Sequence, residues 1–276
     1  MTTPPVALVT GATSGIGEAT ADRLQDAGYH VFAVGRNSEA LQRLSSRGLT
    51  ARALDITDET AVSSLVEEIT TDHGGVDVLV NSAGFPLTCP LEQLALDHLR
   101  SLFETNVVAT LHLAQAVLPE MRRRGSGVIV NIGSTGGRFA SPGAGGYHVI
   151  KYGMEALSLS LRAEVAPFGV RVTLLDPTAV RTPFVTSQQE ARPSYANDDP
   201  YRSFKIRYAD NTRELSAKSG VMIEPDVVAR AVLRVVRAKN PRPRYVVGLS
   251  GKATVLARAL LTDRMWERIL MRGLHD

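Results

Sequence analysis

Apolar positions along this chain fall into two alternating rhythms. Short β-branched runs recur at 6–10 (VALVT), 30–35 (HVFAVG), 50–54 (TARAL), 76–81 (VDVLVN), 127–133 (GVIVNIG), 169–175 (GVRVTLL) and 244–248 (RYVVG). They predict about seven strands, and runs apolar on both alternations are those of strands covered on both faces. The segments between them are amphipathic. In 58–73, for example, Val62, Leu65, Val66 and Ile69 follow the i, i+3, i+4, i+7 spacing of one helix face. Strands alternating with helices predict an α/β fold, a doubly wound parallel sheet within a single domain over 1–276. No internal repeat or low-complexity tract interrupts the pattern.

The rhythm breaks at 183–225, where PFVTSQQEARPSYANDDPYRSF shows little periodicity. A long insertion of this kind reads as a substrate lid or an irregular loop. A helix resumes at EPDVVARAVLRVV, with Pro225 in its first turn. Residues 251–276 read as a C-terminal helical extension. There Arg264, Arg268 and Arg272 are expected on one face, with Met265, Trp266, Ile269 and Leu270 on the opposite side.

Composition adds constraints. The chain has 276 residues, 44% hydrophobic and 21% charged, an ordinary globular balance. Cys89 is the single cysteine, so no internal disulfide forms; this fits a reducing compartment, and a cytoplasmic location is expected. MTTPPVALVT lacks a basic region followed by a long apolar run, and no stretch approaches the ~18 uncharged apolar residues of a membrane span. The net charge is only +3, yet from Arg230 onward eleven Lys/Arg face three acids. A basic tail can attract nucleic acid or anionic lipid. The plainer reading is a solvated helix face, with no nucleic-acid partner and at most a weak peripheral membrane contact.

Candidate chemistry begins at TGATSGIGEAT, between the first strand and the following helix. Gly11, Gly15 and Gly17 are spaced GxxxGxG. Glycine there lets the backbone turn sharply and lets a pyrophosphate approach the amides of a helix N-terminus. At the end of the second strand a site for NAD calls for a carboxylate on the ribose 2′-hydroxyl; here stand Gly35, Arg36 and Asn37. An arginine pairs bidentately with a 2′-phosphate, so the sequence favours NADP(H) over NAD(H).

The second stretch is AGGYHVIKYGMEAL. Tyr147 and Lys151 are one helical turn apart and share a face. A free phenol has a pKa of about 10. An ammonium about 4 Å away, at an effective dielectric near 20, is worth about 4 kcal/mol, or roughly three pKa units. That suffices to bring the phenol near working pH, provided the cation outweighs the opposing effect of burial.

Taken in order, these motifs resemble those of the short-chain dehydrogenase/reductase family. TGATSGIG resembles its cofactor turn, here Gly11, Thr13, Ser14, Gly15, Ile16 and Gly17. Asp55 and Ile56 in LDI sit where the family contacts adenine. NSAG resembles its NNAG motif through Asn81, Ala83 and Gly84, with Ser82 replacing the second asparagine. Asn106 matches the helix asparagine, Ser134 lies thirteen residues before Tyr147, and YHVIK fills YxxxK. DPTAVRTPF resembles the PGxVxT segment at the nicotinamide end through Pro177, Val180 and Thr182, with Thr178 where glycine is usual.

The resemblance implies a Rossmann-type fold and a hydride transfer with NADP(H). It makes Tyr147 the general acid in carbonyl reduction and the base in alcohol oxidation. Lys151 lowers the phenol's pKa and binds the nicotinamide ribose, Ser134 holds the substrate oxygen, and Asn106 holds a water that links Lys151 to solvent. No metal is needed, and no His/Cys cluster has ligand spacing. His148 is read as packing or surface, Cys89 as structural, and Asp97 and His98 as solvent-facing. The expected substrate is a small hydrophobic alcohol and its ketone or aldehyde, of a steroid, retinoid or lipid-derived kind, lined by Ser134, Tyr147 and Phe184. The rival reading is a catalytically silent dinucleotide sensor or scaffold. By the same resemblance, 97–124 and 146–167 are candidates for a homodimer or homotetramer contact.

Overall fold

The structure is a computed structural model that describes residues 3–182, 198–218 and 220–275. Its centre is one seven-stranded parallel sheet: β1 (Val6–Thr10), β2 (His30–Gly35), β3 (Thr50–Ala53), β4 (Val78–Asn81), β5 (Gly127–Ile132), β6 (Val170–Pro177) and β7 (Arg244–Val247), in spatial order β3-β2-β1-β4-β5-β6-β7. All seven expected strands are present, β1 and β2 with the expected bounds and the other five trimmed or shifted by one or two residues at their ends.

Alternating strand residues feed two cores. On one face Leu8, Phe32, Leu79, Ile129 and Val172 meet α3 (Glu59–His73), α5 (Ala109–Arg124) and α6 (Gly145–Val165) through Val62, Ile69, Leu113, Val117 and Leu161. On the other, Ala7, Val9, Val31, Val80 and Val130 meet α1 (Gly15–Asp26), α2 (Ser38–Ser46) and α8 (Pro225–Arg237) through Leu24, Leu44, Val228, Val232 and Val235. Each fully buried Val, Leu or Ile contributes about 1.5–3 kcal/mol of transfer free energy, which the polar loops do not. The α3 face is the one the i, i+3, i+4, i+7 spacing marks, and Asp58 caps its start by accepting from the Ala61 amide at 2.9 Å. The order of the strands reverses direction between β1 and β4, and the strand C-termini there open into a crevice.

The segment read as an irregular lid is corrected in its described part. Residues Arg202–Ala217 form a helix, α7. Its anchors are one aromatic pair and a buried ion pair rather than a continuous apolar stripe, so periodicity concealed it. Phe204 and Tyr208 pack against Gly143, while Lys205, buried, pairs with Asp199, which also accepts from Gln93 Nε2 at 2.8 Å. Phe184 and the rest of 183–197 lie outside the described residues.

The C-terminal extension is helical as expected, as α9 (Leu249–Leu260) and α10 (Asp263–His275). Its expected two-sided pattern is only half right. Trp266 turns inward, its ring edge-on to Phe139 at 5.6 Å, and Leu270 is half-buried. Met265 and Ile269 instead stay exposed beside Arg264 and Arg268, because adjacent positions lie only about 100° apart on a helix. The side chain of Arg272 lies outside the described part. Leu249, Leu256 and Leu260 also point outward, with Lys252 on the same side. Among the described residues no helix is long and apolar enough to cross a membrane.

Candidate active site

The crevice holds a cavity of about 710 Å³ that touches nearly every motif singled out in the sequence. At one end β1 turns into α1. Gly11 adopts φ +65°, and a Cβ there would lie 2.8 Å from the Ala83 Cα. A Cβ on Gly17 would lie 2.2 Å from the Gly11 carbonyl oxygen, so neither position admits a side chain. Thr10 Oγ1 accepts from the amides of Ser82 and Ala83 at 3.0 and 3.1 Å, which fastens NSAG to the end of β1. The Ser14 side chain makes no capping bond, so the first-turn amides of α1 are not satisfied by a cap. Backbone-lined space against a helix N-terminus fits the pyrophosphate of a dinucleotide.

Around this turn the cavity is lined by Thr13, Ser14, Gly15, Ile16, Arg36, Asp55, Ile56, Ala83 and Gly84. Arg36 is well exposed, and its guanidinium is 3.7 Å from the Asp55 carboxylate. The Asp55 carboxyl is held below the usual range mainly by the Thr57 amide and hydroxyl, with Arg36 a smaller contributor. Three residues of the expected set stand back from this lining. Asn37 uses its side chain to cap α2, accepting from the Ala40 amide at 2.9 Å, and does not line the cavity. Asn81 is buried behind the wall and donates to Asn131 Oδ1 at 2.9 Å. Gly17 lies beneath the turn and serves it by packing, as its contact with Gly11 shows.

At the middle of the cavity β5 delivers Ser134 and α6 delivers Tyr147 and Lys151, all three in the lining. Ser134 Oγ accepts from the Gly136 amide at 3.0 Å. Lys151 is buried; its Nζ lies 5.7 Å from the Tyr147 ring centre and donates to the Ile132 carbonyl at 3.3 Å and Asn106 Oδ1 at 3.5 Å. Asn106 sits behind Lys151 in a π-helical turn, Glu104–Val108, between α4 (Leu96–Phe103) and α5, and donates to the Leu102 carbonyl at 3.0 Å.

The electrostatics correct one expectation. Among the protein's own groups the ammonium does not outweigh burial. Loss of solvent pushes the Tyr147 phenol up to about 12, aided by Asp176, against a hydrogen bond with Ser134. Burial likewise holds Lys151 down at about 8, with Asp176 acting in the opposite direction. Lys151 Nζ lies over the Tyr147 ring, and both groups are desolvated.

His148 is packing, and it does more than fill space. Its Nδ1 is 2.7 Å from the Gly136 carbonyl, and its Nε2 accepts from the Ser141 amide at 3.1 Å. The ring therefore pins both ends of the loop after Ser134 to α6, and burial keeps its pKa low. Cys89 is half-buried, and burial pushes its thiol up, consistent with a structural role. Asp97 and His98 face solvent as expected.

Beyond the turn the cavity is also lined by Pro177, Val180, Phe139 and Tyr208, while Thr182 sits against the turn itself, its methyl 2.8 Å from where a Cβ on Gly15 would lie. Thr178, in the place of a glycine, is accommodated by glycines elsewhere. A Cβ on Gly248 would be 2.3 Å from its methyl, and one on Gly251 would be 3.0 Å from its Cβ. Its hydroxyl lies 2.9 Å from Ser250 Oγ, which donates to the Val221 carbonyl at 3.0 Å. Sequence reasoning named neither Phe139, in the loop after Ser134 expected to line the pocket, nor Tyr208, in the segment read as a lid, because neither carries a motif; Asp176 was read only as part of the DPTAVRTPF string. No cluster of potential metal ligands occurs among the described residues.

Fold and site together define an oxidoreductase built to hold a nicotinamide dinucleotide. The sequence profile described as short chain dehydrogenase matches residues 5–193, and the chain belongs to that family. Over 99% of its length it is similar to a short-chain dehydrogenase from Streptomyces avermitilis, at 32% identity and a TM-score of 0.80, covering 98% of that chain. It is 31% identical to a 3-ketodihydrosphingosine reductase of Bacteroides thetaiotaomicron, covering 89% of this chain and 88% of that protein. An actinorhodin polyketide ketoreductase solved with NADPH matches at 31% identity and a TM-score of 0.75, covering 90% of this chain and 96% of that one.

Proposed function

We propose that this protein is an NADP(H)-dependent oxidoreductase that interconverts a small hydrophobic alcohol and its ketone or aldehyde, with Tyr147 as the proton donor and acceptor. The observation that carries this reading is the convergence of Ser134, Tyr147 and Lys151 on one cavity wall beside an uncapped helix N-terminus. When bound, the nicotinamide supplies or accepts the hydride.

The chain's own groups would divide the remaining work. Ser134 Oγ–H donates to the substrate oxygen and steadies charge that develops there. Tyr147 gives its phenolic proton to that oxygen in reduction and takes it back in oxidation. Burial keeps the Tyr147 phenol protonated at working pH, so its proton is in place for donation to the substrate oxygen. Lys151 holds the ribose hydroxyls, and as an ammonium it stabilises the phenolate left after donation. Asn106 orients Lys151 from behind and completes a path toward solvent. The turn formed by Gly11, Thr13, Ser14, Gly15 and Ile16 holds the pyrophosphate. Asp55, Ile56, Ala83 and Gly84 frame the adenosine half, and Arg36 pairs with a 2′-phosphate. Pro177, Val180 and Thr182 frame the nicotinamide.

A hydrophobic substrate is supported by Phe139 and Tyr208 in the cavity lining, with Trp266 packed on Phe139, and by the substrate names of two relatives, a sphingoid ketone and a polyketide. Assembly as a homodimer or homotetramer through α5 and α6 is supported by Leu111, Val149 and Tyr152, large side chains exposed on those helices. A weak contact with anionic lipid is supported by the outward leucines of α9 beside Lys252. The silent-sensor alternative finds no comparable support. A panel of hydrophobic ketones, aldehydes and alcohols followed by NADPH absorbance tests the reading. Turnover of at least one member with NADPH and weaker use of NADH are expected. Equal rates with both cofactors would remove the role given to Arg36, and no turnover across the panel would remove the substrate class.

A further inference from the structure

Asp176 is the next-to-last residue of β6, and its side chain is almost completely buried. One carboxyl oxygen, Oδ1, accepts from the Ser134 backbone amide at 3.1 Å. The same oxygen occupies the space a side chain at position 133 would need, since a Cβ on Gly133 would come within 2.3 Å of it. The second oxygen, Oδ2, is buried with no hydrogen-bond partner among the described residues. A buried, half-satisfied carboxyl is costly and demands a compensating role.

The charged surroundings supply one. On α6, Tyr147, Lys151 and Glu155 follow each other at steps of four and form one row. Glu155 is bonded to Arg138 at 3.4 Å and to Arg244. Among the described residues, the hydrogen-bond partners of Lys151 Nζ are neutral oxygens, those of Ile132 and Asn106. The carboxylate that acts against its desolvation is Asp176.

We infer that Asp176 is a positioning residue that holds Ser134 by its backbone and supplies the counter-charge that keeps Lys151 an ammonium. Its consequence for turnover rests on the roles proposed above for Tyr147 and Lys151; the charge coupling itself does not. Burial, and next the like charge of Glu155, raise the Asp176 carboxyl to about 7, against Arg244, Arg138 and the Ser134 amide. The countercharge is therefore present above neutral pH and absent below it. When ionised, it raises Lys151 and Tyr147 together.

Asp176→Asn keeps an oxygen acceptor for Ser134 and mimics the protonated acid. Below about pH 6 wild type and variant should turn over within about twofold of each other. Above about pH 8 they should part, the variant losing activity about one pH unit earlier as Lys151 gives up its proton sooner. A uniform loss with unmoved limbs would reduce Asp176 to a backbone prop and overturn the proposal. A second readout is free of turnover: carboxyl-carbon NMR of the full chain labelled at aspartate. One resonance, missing in Asp176→Asn, should titrate near neutrality rather than near pH 4, and an Asp176 signal that titrates below pH 5 would overturn it. If Asp176→Asn fails to fold, Glu155→Gln should move that same midpoint to lower pH by removing the like charge; an unmoved midpoint would be contrary. A Tyr147→Phe enzyme that still turned over would sink the catalytic reading, while the NMR titration would still decide the coupling.

Discussion

At the dinucleotide end of the cavity, backbone meets backbone. Gly17 lies against the Gly11 carbonyl, Gly11 against Ala83, and Thr10 binds the amides of NSAG. At the opposite end, side chains from separate segments meet: Tyr208 of α7, Phe139 with Trp266 of α10 packed on it, and Thr178, just after β6, wedged between Gly248 and Gly251. The first end tolerates no added atom and is built for one ligand shape. The second is assembled from contacts that can be exchanged piece by piece, which is the construction expected where family members differ in substrate.

The strongest way to break this contrast is Gly17→Ala. A Cβ 2.2 Å from a carbonyl oxygen must displace the turn, at about 3 kcal/mol in stability and with loss of NADPH binding. Thermal melts and NADPH fluorescence check it; a Gly17→Ala variant indistinguishable from wild type would show the turn to be pliable. The buried acid at the seam between the two ends comes next. Asp176 titrates at about 7 in the folded chain and at about 3.9 unfolded, so the fold holds this proton more tightly. Its contribution is full below about pH 4 and is lost as pH rises through about 7. Wild type should lose about 2 kcal/mol between pH 5 and pH 8 that Asp176→Asn does not, read by urea unfolding.

Arg36→Ala sharpens the dinucleotide end. Removing a charge-assisted pair with a 2′-phosphate should weaken NADPH about 10–100-fold and leave NADH unchanged, by titration of each. The smallest effect belongs to the far surface. Leu256→Glu with Leu260→Glu, both exposed, should change stability by no more than about 0.5 kcal/mol while reducing sedimentation with anionic vesicles. Unchanged lipid binding would assign those leucines another partner, and a changed subunit count would point to a second copy of the chain.

What the sequence disclosed follows the same divide. Strands buried on both faces and a glycine turn leave local signatures, so β1–β7, the Gly11–Gly17 turn and the Tyr147/Lys151 pair were legible from spacing, while Ser134 was singled out only through the family resemblance. Helix α7 was not, because Lys205 is buried by an ion pair with Asp199 rather than by an apolar stripe. Asn37 and Asn81 lie in the expected motifs, but their side chains serve a helix cap and a buried amide pair, a distinction made by tertiary contacts alone. Asp176 was hidden for a related reason. Its neighbours Ser134, Glu155 and Arg244 come from three different segments, and no window of sequence shows them together.

The central claim is that the phenolic oxygen of Tyr147 exchanges the proton of the reaction. Its most direct test is Tyr147→Phe, assayed on whichever carbonyl the wild type reduces, with NADPH affinity measured in parallel. The account predicts turnover down by about 10³-fold with NADPH affinity within a few-fold of wild type. Turnover near the wild-type rate, with cofactor binding intact, would contradict it.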